Sequence, residues 1–116
     1  MVLLTLAAIL MVVTAATHSV LGEQHLIQPL IAFNTGIIAR PLAQRVLRFA
    51  WHLTSILMLA CAFTIVWPTT PAPVLAAIGS AWLVPGVVDA IYTRGRHVGW
   101  PLLVAAGTLP LLHLAT

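Results

Sequence analysis

Two short stretches carry most of the side chains in this sequence that could do chemistry. Residues 17–25 read THSVLGEQH and bring His18, Glu23 and His25 within eight positions. Residues 45–55 read RVLRFAWHLTS, where Arg45, Arg48, His52 and Ser55 recur at i, i+3, i+7 and i+10. On a helix that spacing makes one narrow stripe, which Leu59 and Ala62 continue. Thr14, His18 and His25 repeat the idea at i, i+4 and i+11. Asp89 and His97 complete the main ionisable set, and His113 stands alone near the C-terminal end. Histidine beside a carboxylate can hold or pass a proton at neutral pH. An arginine fork suits carboxylate or phosphate oxygens. His18 and His52 could also be axial haem ligands, or bind a divalent metal together with Glu23 or Asp89.

These groups must be positioned by elements of an unusually apolar chain. Of 116 residues, 61% are hydrophobic and 6% charged, against about 25% charged in an ordinary soluble domain. A small soluble fold could not hide that much apolar surface, so the expected solvent is lipid. Five arginines, no lysine and two acids give a net charge of +3. They are scattered among apolar runs and form no dense basic face of the kind nucleic acid requires. Cys61, the single cysteine, lies in an apolar run and permits no internal disulfide.

The expected fold is all-α: a polytopic membrane protein with four transmembrane helices in an up-down bundle, forming one domain over residues 1–116. The spans fall at about 2–21, 48–67, 73–92 and 98–115, each near the ~20 residues that cross a bilayer. Pro41 suits the first turn of the second helix, and WPTTPAP at 67–73 cannot remain helical. The first span lacks the basic start of a secretory signal and its apolar run is too long for one. Residues 26–38 are apolar but short, interrupted by Pro29, Asn34 and Gly36, which suits an interfacial or re-entrant segment.

Arg40, Arg45, Arg48, Arg94 and Arg96 all fall on one side of this topology. The positive-inside rule makes that side cytoplasmic and leaves both termini outside. His18, His52 and Asp89 then lie about one turn inside the cytoplasmic ends of spans 1, 2 and 3, at matching depth. Charge inside a bilayer is costly, so a shared polar pocket of His18, Glu23, Arg48, His52, Ser55 and Asp89 is expected between those spans. Arg45, Arg96, His97, Trp51 and Trp100 would make interfacial and anion contacts. Trp82, in mid-span, reads as packing. Ala76, Ala77, Ser80 and Ala81 form small-residue pairs on span 3 that suit close packing, within the chain or against a protein partner or second copy. Gly79 and Gly86 add to that closeness, and Pro85 is placed to kink the span above Asp89.

The stretches THSVLGE, LRFAWHLTS and RGRHVGWP resemble motifs of a family of small uncharacterised four-helix inner-membrane proteins of bacteria. The resemblance covers most of the chain. It implies a bacterial inner-membrane location and a four-helix fold, and brings no activity or cofactor. Carried over by position, its polar motif residues are His18, Glu23, Arg48, His52, Ser55, Arg96, His97 and Trp100.

Four function classes fit these residues. The leading one is a non-enzymatic accessory or binding protein whose pocket takes an anionic headgroup, a quinone-like ligand or a partner helix, with membrane lipids as its first partners. A bis-histidine haem or metal site at His18 and His52 is the alternative. A third is proton or ion passage through an oligomer, using Ser55, His52, His18 and Asp89. A lipid-directed enzyme using His52 and Ser55 is the weakest, because no oxyanion site is marked.

Overall fold

Proline decides where most of these helices begin. The computed structural model describes residues 1–116, and all its regular elements are helical. Helix α1 covers Val2–Gly22, and a π-helical turn at Glu23–Ile27 joins it to α2, Gln28–Phe33. A 3₁₀ turn at Gly36–Ala39 precedes α3, Pro41–Val66. Helices α4 and α5 cover Ala72–Tyr92 and Trp100–Ala115. Pro41, Pro73 and Pro101 occupy the first turns of α3, α4 and α5, where a missing N–H costs nothing.

The helical path does not end at Leu21. It runs unbroken for 32 residues, from Val2 to Phe33, so the stretch 26–38 is split rather than forming a unit of its own. Pro29 is the physical reason for the π turn. In a regular helix its ring would press on the carbonyl of His25 and leave that oxygen without a donor. Widening the preceding turn relieves this crowding: the Gln28 N–H donates to the Glu23 carbonyl, five residues back. The chain finally turns at Asn34, whose φ of 48° and ψ of 40° are left-handed. Asparagine tolerates that region better than most side chains.

Three stretches are long and apolar enough to cross a membrane: Val2–Phe33, Pro41–Val66 and Ala72–Tyr92. Helix α5 is apolar but has only 16 residues. Large apolar side chains such as Val12, Ile56, Phe63 and Val84 lie exposed on the outside of the helices. A helical bundle with this surface is compatible with a membrane protein.

The packing order is α3, α1, α5, α4. Helix α1 packs on α3 and α5, α5 packs on α4, and α3 and α4 meet only marginally. On α1, Leu4, Ala7, Met11, Thr14 and His18 follow at alternating intervals of three and four, the spacing of a narrow helical seam. The first four are buried and His18 is half-buried. Leu4, Ala7 and Met11 meet Ala62, Ile65, Leu75, Trp82 and Ala106 in one apolar core. Trp82 is therefore a packing residue. On α3 the buried positions are Ser55, Ala62 and Ile65, while Leu59 turns outward.

Glycine explains why α4 lies against α5 and away from α3. A Cβ on Gly107 would overlap the Leu83 backbone, and one on Gly86 the Val104 backbone; one on Gly79 would crowd Leu111. Such close approach of two helix backbones needs hydrogen in place of a side chain. Of the small residues on α4, Ala77, Ser80 and Ala81 remain exposed, so close packing within the chain uses the glycines instead. Gly107→Ala should lower the unfolding free energy by about 1–3 kcal/mol through overpacking. Ala77→Val, on the exposed face, should change it by less than about 0.5 kcal/mol. Denaturant titration of the purified, solubilised chain followed by circular dichroism checks both.

Candidate functional site

The functional side chains meet where the C-terminal end of α1 crosses the N-terminal half of α3. Gly22 makes room there: a Cβ at this position would collide with the Trp51 indole. The indole lies flat on the His18 ring, with centroids 4.4 Å apart and planes within 7°. Its N–H donates to the His18 carbonyl at 2.8 Å. That bond and the stack fix the imidazole's orientation, which leads the His18 ring nitrogen Nδ1 to Ser55.

From His18 a continuous hydrogen-bonded chain runs to Arg48. His18 Nδ1 lies 3.0 Å from Ser55 Oγ, and Ser55 Oγ lies 2.8 Å from Ser19 Oγ. Ser19 Oγ is 2.9 Å from His52 Nδ1. The other ring nitrogen of His52 is 3.2 Å from Glu23 Oε2. Arg48 then grips the same carboxylate with both Nε, 3.2 Å from Oε2, and Nη2, 2.7 Å from Oε1. No buried side-chain nitrogen or oxygen lacks a partner. The arrangement is a polar seam between two helices, with its hydrogen-bonding groups paired to one another.

Asp89 does not join it. Its carboxylate pairs with His97 Nδ1, eight residues on, across the turn between α4 and α5. The expectation of a cluster shared by spans 1, 2 and 3 is corrected accordingly. The glycine contacts hold α4 against α5, and left-handed Arg94 and Gly95 turn the chain back so that His97 reaches the acid. In the same turn, the Trp100 N–H donates to the Gly95 carbonyl at 3.3 Å. Thr14 and His25 likewise stay outside the seam. Thr14 donates to the Leu10 carbonyl at 2.7 Å and His25 Nδ1 lies 3.2 Å from the Leu21 carbonyl, both within their own helix.

Ser19 is the member that sequence reasoning missed. It lies next to His18 and one turn before Glu23 in THSVLGE. The available signal was its i, i+4 relation to the acid.

Both acids are thus occupied, Glu23 by Arg48 and His52 and Asp89 by His97. Arg40, Arg45, Arg94 and Arg96 have no carboxylate partner in the chain, and all four are exposed. Arg45 and Arg48 border a crevice of about 510 Å³ with Pro41, Gln44 and Phe49. An apolar recess of about 660 Å³, lined by Leu30, Phe33, Ile37, Ile38, Val46 and Leu47 among others, lies near the other side of α3. Residues 43, 46 and 47 face the recess and 41, 44, 45 and 48 the crevice, which at about 100° per residue are roughly opposite sides.

The haem or metal reading fits this geometry poorly. No three His, Cys, Asp or Glu side chains are grouped for a metal ion. His18 and His52 do not converge on a common point: two serine hydroxyls stand between their Nδ1 atoms, and both nitrogens of His52 are engaged. Neither is assigned as a ligand.

If the seam holds α1 to α3, Ser55→Ala should cost about 1–3 kcal/mol of unfolding free energy, because it strips a partner from two buried-side groups. Thr54→Ala removes only an exposed bond to its own helix and should cost less than about 0.5 kcal/mol. Equal effects in the same denaturant titration would deny the seam that role.

No family model, curated protein or solved structure matches this chain, and the side chains just described carry the functional reading.

Proposed function

We propose that this is a four-span protein of the bacterial cytoplasmic membrane, with both ends outside, which acts as a non-enzymatic binding or accessory protein for anionic headgroups. The observation that carries this is the surplus of arginine at one end. The acids at that end are already paired, so four exposed guanidinium groups are left free to bind anions outside the chain. Phosphate at a membrane surface is the matching chemistry, and arginine binds it through two parallel hydrogen bonds.

The side chains are disposed accordingly. Arg45 and Arg48 flank the crevice at the start of α3, while the recess across that helix offers an apolar wall for acyl chains. Helix α5 completes the four-span reading as a short span, flanked by Trp100 on the arginine side. The resemblance carried by THSVLGE, LRFAWHLTS and RGRHVGWP supports the same membrane. The exposed Ala77, Ser80 and Ala81 on α4 would suit a partner helix or a second copy.

Two measurements test these statements. In native mass spectrometry from an equimolar phosphatidylglycerol and phosphatidylcholine mixture, the wild type should retain the anionic lipid preferentially. Arg45→Ala should cut that preference about fivefold, the equivalent of about 1 kcal/mol for one basic side chain at an anionic surface. Equal retention of both lipids overturns headgroup binding. For topology, a Cys61→Ser background is given one cysteine at a time. Thr69→Cys should react with an impermeant maleimide in intact cells, and Val98→Cys only after the membrane is opened; the reverse pattern overturns the orientation.

A further inference from the structure

We propose that His52 and His18 are the two ends of an internal proton-transfer pair, joined by the hydroxyls of Ser19 and Ser55. This is independent of headgroup binding. It rests on three consecutive hydrogen bonds of 2.9, 2.8 and 3.0 Å that connect the two Nδ1 atoms without a gap.

Each serine hydroxyl has one proton to donate and lone pairs to accept with, so the chain can be polarised in only two ways. In the first, His52 is an imidazolium. Its Nε2–H donates to Glu23 and its Nδ1–H to Ser19; Ser19 donates to Ser55, and Ser55 donates to the bare Nδ1 of a neutral His18. In the second, every bridging proton has moved one place. His52 Nδ1–H has passed to Ser19, the Ser19 proton to Ser55, and the Ser55 proton to His18 Nδ1. His52 is then neutral and His18 is the imidazolium. Three O–H or N–H bonds form and three break, and the net result is one positive charge carried from α3 to α1. No serine is charged at either end state.

Each end offers that charge a contact, although His18 is half-buried. At His52, Glu23 accepts from Nε2, with Arg48 on the far side of the carboxylate. At His18, the stacked Trp51 ring presents its π face to the cation. His18 Nε2 has no partner in the chain and is not fully enclosed, which makes it the free end of the pair. From the turn between α4 and α5, His97, paired with Asp89, opposes a charge on His18 when it is itself protonated. Helix α5, which also packs on α1, brings only His113, near its opposite end.

The test uses the full chain, ¹⁵N-labelled at histidine, in lipid nanodiscs. Imidazole ¹⁵N shifts report charge and tautomer at each ring. Across the histidine titration range, the wild type should show His18 and His52 sharing one excess proton, with exchange peaks linking the two charged forms. Ser19→Ala should abolish that exchange and leave the two rings titrating separately, and Ser19→Thr, which keeps the hydroxyl, should restore it. A merely structural seam would not produce exchange between the rings. Absence of exchange in the wild type overturns the proposal whether or not the variants fold, and so does exchange that persists in Ser19→Ala.

Discussion

An ionised carboxylate among apolar helices is stable only where opposite charge and hydrogen bonds replace the water it has lost. Glu23 meets that condition through a two-pronged contact with Arg48 and a further bond to His52. Much of the arrangement at that end is built around it. Arg48 and His52 are one turn apart on α3, so the carboxylate that holds both also sets the register of α3 against α1. With that register set, Ser55, one turn further on, meets Ser19 and His18. Helix α3 needs this anchor, because α1 is its one extensive neighbour among the long helices.

Much of the frame could be read from composition and spacing. Pro41 starts α3 as a first-turn proline should. The prolines of 67–73 separate α3 from α4, and Tyr92 closes α4. The order in which the helices pack could not be read. Apolar periodicity tells which face of a helix is buried, but not which neighbour buries it. That choice lies with Gly79, Gly86 and Gly107, whose backbones approach so closely that α4 belongs to α5. Gly107 carries no distinguishing mark in WPLLVAAGTLPLLHLA.

The site was legible in a similar, partial way. The helical stripe of Arg48, His52 and Ser55 and the polar close of THSVLGE do meet. Matching depth and opposite charge group Asp89 with Arg48 and His52, but its carboxylate pairs with His97 instead. Its partner lies in a turn, where left-handed residues at 94 and 95 bring His97 back, and helical spacing has nothing to say about turns. Ser19 was passed over because a serine in a membrane helix ordinarily bonds its own backbone, as Thr14, Thr54 and Thr108 do here. Only the opposing helix reveals that its hydroxyl is shared between His52 and Ser55.

The widened turn at Glu23–Ile27 holds, in effect, one residue more than an α-helical path would need. The extra residue sits one turn before Pro29, whose ring it keeps clear of the His25 carbonyl. Loss of any one residue between Glu23 and Ile27 would return the path to regular winding, with the segment beyond it keeping much of its present orientation. The proline ring would again crowd a carbonyl. Chain length and the proline are therefore bound together as one heritable character. Shortening this segment by a residue brings the crowding back, and replacing Pro29 removes it.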